Sequence, residues 1–270
     1  MSQEAPRKFE DVVYEAKDGI AKITINRPDV YNALRTQTYG EIADAVWQAD
    51  DDPEVGVIVI TGAGDKAFSS GGDVNAQAVR TVSLGRKHAR IALSLSTAIR
   101  GTSKPVIAAV NGYAIGGGHC VHLWCDITIA SDKAKFGQVG PRVGSFPYWG
   151  PPQMLARLVG EKRAREMLYL CRTYTAQEAL AMGLINAVVP HDQLMAETYK
   201  WANEILDKSP LYLGLCKKGM NAATDMLHST LTMGGEMLSL TYGMPENMEG
   251  VHAFLEKRKP EFRKYRKAVA

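Results

Sequence analysis

Residues 111–131, NGYAIGGGHCVHLWCDITIAS, constrain this chain more than any other segment. Residues 104–110 read as a β-branched strand that runs into three consecutive glycines, Gly116, Gly117 and Gly118. A helix-like segment follows, and then a second strand over residues 126–130. Glycines at a strand-to-helix turn let the backbone approach a ligand closely, and the first N–H groups of the helix have no internal partner. Those groups carry partial positive charge and suit an anionic oxygen. A second glycine-rich turn, FSSGGD at 68–73, follows a strand over residues 57–61. Two such turns can aim two N–H donors at one oxygen, the arrangement of an oxyanion hole. A lone glycine triplet equally suits a tight turn. The spacing fits neither G-x-G-x-x-G nor G-x-x-x-x-G-K-[ST], which argues against a nucleotide phosphate loop.

The rest of the chain is consistent with a globular α/β protein. Residues 12–26 read as two alternating strands joined by a turn at Lys17-Asp18-Gly19. Residues 36–50 have helical spacing, and residues 73–101 read as mostly helix after a variable loop. Within that helix Ile91, Leu95 and Ile99 should pack inward, while Arg80, Arg86 and Lys87 should face water. The stretch FGQVGPRVGSFPYWGPP holds four glycines and four prolines and cannot be a continuous helix, which suits a substrate-facing loop. Helices over 153–159 and 161–169 follow, then one over 176–182 capped by Thr175, then the strand INAVVP. Residues 191–266 read as helices.

A formal net charge of +3 gives no reason to expect nucleic acid as the main partner. The basic run KRKPEFRKYRK at 257–267 is a local exception and reads by itself as a solvated tail. Four cysteines, Cys120, Cys125, Cys171 and Cys216, show no disulfide spacing. No leader-like apolar stretch or membrane-length apolar run occurs, so the expectation is a soluble, cytoplasmic protein with no membrane partner.

Taken together, FSSGGD, NGYAIGGGH…CDITIAS, the opening INRPDVYNAL and the later ALAMGLINAVVP resemble the crotonase (enoyl-CoA hydratase/isomerase) superfamily over residues 8–266. The resemblance implies a ββα spiral core over 1–200, a helical trimerisation region over 201–270, and a homotrimer or dimer of trimers. It implies an acyl-CoA thioester as ligand and no cofactor besides the coenzyme A of the substrate. It also implies that the thioester oxygen sits between the N–H groups of Gly72 and Gly117. Ala33, Leu34, Arg35, Ser70, Gly71, Asp73, Tyr113, Gly116, His119 and Gly140 are then the expected acyl-CoA contacts, with Lys257 near the phosphates.

Hydratases of the superfamily use two glutamates, one as base and one as acid. Here the matching positions are Cys120 and Gly140, so hydratase chemistry does not come with the fold. GAGDKAFSSGGD, FGQVGPRVGS and EKRKPEFRKY instead resemble a sub-branch of ring-opening 2-ketocyclohexanecarboxyl-CoA hydrolases and ring-forming 1,4-dihydroxy-2-naphthoyl-CoA synthases. Both pass through a thioester enolate. Ser145 matches the active-site serine of that sub-branch, and Tyr242 matches a tyrosine contributed across a subunit boundary. Pro147 stands where relatives carry an aspartate, which weakens the proton relay of a synthase and ranks hydrolytic ring cleavage first. A non-catalytic acyl-CoA-binding or scaffold protein is the alternative from another class. His119, His122 and Cys125 share a helical face, but structural zinc asks for a fuller converging set, so no metal is expected. G-x-S-x-G is absent, against a serine-hydrolase mechanism; Asp73 reads as a turn anchor.

Overall fold

The computed structural model describes residues 9–267. Its core is a winding of strand pairs. Strand β1 (Val12–Lys17) forms a hairpin with β2 (Ile20–Ile25), after which helix α1 (Thr36–Asp51) packs across the sheet. Three successive units then place one strand in each of two sheets. These are β3 (Val57–Gly62) with β4 (Ala67–Ser69), β5 (Val106–Val110) with β6 (Tyr113–Ile115), and β7 (Ile127–Ser131) with β8 (Lys135–Gly137). The first strand of each unit joins a six-stranded sheet, order β1-β2-β3-β5-β7-β10, which β10 (Ala187–Val189) completes; the second joins a four-stranded sheet, β4-β6-β8-β9, with β9 at Thr173–Thr175. From β2 to β10 the larger sheet is parallel, and β3 and β5 are buried along their whole length, as a sheet covered on both faces requires. This is the expected ββα spiral.

Helices α2 (Val74–Ala78) and α3 (Val82–Gly101) follow β4, and α4 (Gly117–Trp124) follows β6. Helices α5 (Pro151–Val159) and α6 (Glu161–Leu170) follow β8. Helix α7 (Ala176–Ala181) starts with the expected Thr175 cap: the Thr175 hydroxyl accepts from Glu178 N at 3.2 Å, and Glu178 Oε2 accepts from Thr175 N at 2.7 Å. Helix α8 (Leu194–Leu206) lays Leu194 and Ala202 on the outer face of the six-stranded sheet, against Val57, Val59, Ile107 and Ile129. The boundary expected at 200/201 therefore falls inside α8. Helices α9 (Pro210–Asp225), α10 (His228–Thr241) and α11 (Pro245–Leu255) end the chain, with α10 folded back along α3. Among the described residues no helix is long and apolar enough to cross a membrane.

The helix expected over 73–101 is two helices. Thr81 caps the second by accepting from Leu84 N at 3.3 Å, and the break leaves Val79 75% exposed while turning Arg80 inward. In that helix Leu95 and Ile99 are fully buried and Ile91 is half-buried.

Candidate active site

The first glycine turn leaves β4 and ends at Asp73, the cap of α2. Asp73 Oδ1 accepts from Asn75 N at 3.1 Å and Ala76 N at 3.3 Å, while Oδ2 lies 3.2 Å from Arg27 Nη1. The carboxylate is thus committed to the turn. The loop before α1 clasps the turn on either side of Gly72: Leu34 N donates to Gly71 O at 2.7 Å and Asp73 N to Leu34 O at 3.0 Å. Gly72 N is skipped by this pairing.

The second turn leaves β6. Gly116 adopts φ 52°, ψ −114°, a conformation that favours glycine, and α4 begins at the next residue. Gly116 N donates to Gly137 O at 2.9 Å, and Gln138 Nε2 donates to Gly116 O at 3.1 Å. The two turns meet backbone to backbone. A methyl on Gly71 would lie 2.8 Å from Ile115 O and 3.3 Å from Gly117 N; a methyl on Gly117 would lie 3.4 Å from Gly72 N. Among the described residues neither Gly72 N nor Gly117 N has a backbone acceptor. Both glycines line a cavity of about 500 Å³. Two free donors side by side can hold an oxygen that gains negative charge.

The same cavity takes in most of the expected residues. Ala33, Ser70, Gly71 and Asp73 line it from the first turn and the loop that clasps it, Tyr113 and Gly116 from β6 and the second turn, and Gly140 from the loop after β8. Ser145 and Tyr242 also line it. Tyr242 belongs to the same chain as the glycine turns. Helix α10 folds onto α3, where Gly85 makes room for the ring: a methyl there would lie 2.6 Å from Tyr242 Cδ2. Within a single chain the tyrosine thus reaches the cavity that holds the glycine turns.

Four expected contacts lie off the wall. Leu34 is fully buried and acts through its backbone. Arg35 turns to Asp11 and Glu10, with Nε 2.8 Å from Asp11 Oδ2. His119 is fully buried behind the cavity, its Nδ1 3.1 Å from Gln138 Nε2. Lys257 is exposed after the end of α11, and in the basic run beyond it Arg258 and Lys264 pair with Glu249. His122 Nδ1 lies 3.3 Å from Thr128 Oγ1 and Cys125 Sγ donates to Val121 O, so these side chains serve packing; among the described residues no three potential ligands cluster for a metal.

At the two positions where the superfamily places glutamates, Cys120 and Gly140 line the cavity. Burial pushes the Cys120 thiol up to about 12, so it is neutral. A methyl on Gly140 would lie 2.9 Å from Pro147 Cδ and 3.0 Å from Ser145 O, so the loop leaves no room for a longer side chain there. Pro147 itself is on the wall.

Tyr39, Arg80 and His88 also line the cavity and carried no motif signal; Gln138 lines it too, and lies within FGQVGPRVGS but was not singled out. Tyr39 packs edge-on to His88, with ring centroids 5.1 Å apart, and to Trp149 at 5.4 Å. Burial, with Arg80 nearby, brings the His88 imidazole down to about 3, so it is uncharged. Arg80, expected in water, is 9% exposed; its Nη1 donates to Tyr242 Oη at 2.9 Å, and the guanidinium sits 5.3 Å from the Tyr242 ring centroid.

Comparison with known proteins agrees with this geometry. The family model for enoyl-CoA hydratase/isomerase matches residues 15–265. An enoyl-CoA hydratase from Mycobacterium avium subsp. paratuberculosis is similar at 33% identity and a TM-score of 0.85, over 94% of this chain and 99% of that one. An enoyl-CoA hydratase from Bacillus anthracis is similar at 30% identity and a TM-score of 0.76, over 93% and 98%. An enoyl-CoA hydratase/isomerase from Pseudoalteromonas atlantica shares 26% identity with a TM-score of 0.80, over 94% and 100%. With the strand winding and the two apposed glycine turns, these matches establish that the chain belongs to the enoyl-CoA hydratase/isomerase family, the crotonase superfamily of acyl-CoA enzymes.

Proposed function

We propose that the protein hydrolyses a carbon–carbon bond in a cyclic β-ketoacyl-CoA through a thioester enolate. One observation carries this reading: the free N–H groups of Gly72 and Gly117 face a cavity in which the two glutamate positions are a neutral thiol and a glycine blocked by Pro147. The donors suit an enolate oxygen, while the means of activating water across a double bond are missing.

In the proposed reaction, water adds to the ring ketone carbon. The bond from that carbon to the α-carbon breaks, and its electron pair moves into the thioester to give the enolate held by Gly72 and Gly117. A proton then goes to the α-carbon, and the former ketone carbon, still joined through the rest of the ring, becomes the distal carboxylate of the product. One water is consumed and no redox partner is needed, so coenzyme A in the substrate is the sole cofactor called for. Tyr242 Oη accepts from Arg80, which leaves its own proton free for the ketone oxygen. Ser145, on the same wall, is assigned to the incoming water.

A ring-forming synthase needs an acid–base relay where Pro147 stands. A scaffold has no use for two apposed free donors. Trimer-based assembly is part of the proposal; Met220, Met226, Met233 and Met237, exposed in the helical region, support it. The reading is tested by incubating the protein with 2-oxocyclohexane-1-carboxyl-CoA and following ring opening by mass spectrometry. Formation of heptanedioyl-CoA is expected; intact thioester, or free CoA with the ring closed, would refute the proposal.

A further inference from the structure

The proposed reaction leaves the charge of Arg80 without a partner. Arg80 is a buried cation, and among the described residues it has no ion pair; its side-chain hydrogen bond goes to a phenol, Tyr242 Oη. Burying a charge is costly unless it is paired, and a retained unpaired guanidinium therefore points to an anion that arrives from outside. The groups around it offer no compensation. Tyr242, Tyr39 and Tyr148 are phenols, and burial raises the last two further from ionisation. His88 and Cys120 are uncharged at neutral pH. Asp73, on the same wall, is held by Arg27 and by the start of α2. The other cation of the lining, Arg142, is solvent-exposed at the rim.

The anion needs to lie inside the cavity, because Arg80 shares it with Gly72, Gly117, Ser145 and Tyr242. The phosphates of coenzyme A extend away from the thioester and carry their charge outside the acyl chamber. A planar guanidinium matches a carboxylate, which it can bind with two parallel N–H donors. Gly85 is the structural counterpart of this arrangement: it admits the Tyr242 ring against α3, and the ring face in turn holds the guanidinium at 5.3 Å.

We infer that Arg80, steadied by Tyr242, is a carboxylate receptor in the acyl chamber, and that the natural ligand bears a carboxylate on its acyl portion. The inference rests on the cavity taking acyl-CoA thioesters and not on the ring-cleaving step. Under that step, the receptor would hold the carboxylate that bond breaking creates.

The test is binding, by isothermal titration calorimetry of the full chain, of two saturated thioesters of equal length, heptanedioyl-CoA and heptanoyl-CoA. They differ in the distal group alone. The wild-type protein should bind the diacid thioester about tenfold tighter or more, the scale of a hydrogen bond to a charged group. Arg80→Gln should abolish the preference. Equal affinities in the wild type, or a preference that survives Arg80→Gln, would overturn the inference. A second measurement needs no variant. Buried pairs are weakly screened, so the preference should persist at about 0.5 M salt; a preference that vanishes there would place the carboxylate on a surface cation such as Arg142 and refute the assignment. Failure of both thioesters to bind would instead overturn the acyl-CoA reading itself.

Discussion

Replacing Gly71 by alanine tests how the two glycine turns are held together. Gly71 has φ +107°, where a side chain is strained by about 1–3 kcal/mol. The added methyl would also lie 2.8 Å from Ile115 O, roughly half an ångström inside the 3.4 Å at which ordinary contact begins, and 3.3 Å from Gly117 N. Both atoms are backbone at the start of the second turn, fixed by the bond from Gly116 N to Gly137 O, so neither can swing aside. Overpacking of this kind costs a further 1–3 kcal/mol or so. The turns should part, which spreads Gly72 N and Gly117 N. Misplacing or losing one such donor costs on the order of 10²-fold or more in rate. A control separates the two effects: Gly160 also has a positive φ, +77°, but a methyl there meets nothing within 4 Å. Gly160→Ala should show the conformational strain alone. Chemical denaturation gives the stability of both variants, and turnover of a cyclic β-ketoacyl-CoA gives the rate. Equal destabilisation of the two, with Gly71→Ala still turning over at the wild-type rate, would refute the proposed contact between the turns.

Three further outcomes are expected. Crotonyl-CoA should not be hydrated, and Gly140→Glu should not confer hydration, because a Cβ at that position would already lie 2.9 Å from Pro147 Cδ; loss of enoyl absorbance that persists in Cys120→Ala would contradict this. Stability should fall as pH drops from about 6.5 toward 3, because burial holds His88 and His119 near 3 in the folded chain while the unfolded chain protonates them near 6.5. The unfolded state binds more protons in that window, at up to about 1.4 kcal/mol per pH unit for each histidine, so a melting temperature that stays level over the window would refute the burial argument. Mixed oligomers of Tyr242→Phe and Gly117→Pro subunits should regain no activity, since both residues line one cavity of one chain; regained activity would mean that the tyrosine crosses between subunits.

The main strands and helices were legible in the sequence because their signals are long or doubly marked. Residues 57–60 and 106–110 are continuous apolar runs, and Thr175 with Glu178 writes a capping box. The four-stranded sheet was not read. Its strands are three residues each, too short for a period, and two of them lie inside the segments that the glycines drew attention to. The glycine pair was legible for the same reason that it is built: close backbone approach admits no side chain. Arg80 was read as a water-facing charge alongside Arg86 and Lys87, whereas the break between α2 and α3 leaves it on the cavity wall, bonded to Tyr242. Tyr39 and His88 had no signal, as an aromatic or a histidine on an apolar helix face looks the same whether it fills a core or lines a cavity. His119 shows the converse: it follows the glycines in sequence, but the first turn of α4 carries it behind the wall.

The central claim is that Gly72 and Gly117 hold a thioester enolate while water cleaves the ring. Turnover of 2-oxocyclohexane-1-carboxyl-CoA in heavy-oxygen water, read by mass spectrometry of the intact product, tests it most directly. The expected result is a ring-opened thioester with one heavy oxygen in its distal carboxylate and the CoA still attached, formed by the wild type and at a rate lower by about 10²–10³ in Gly117→Pro, which lacks that N–H donor. A labelled free acid with CoA released, or ring opening at the wild-type rate in a folded Gly117→Pro variant, would contradict it.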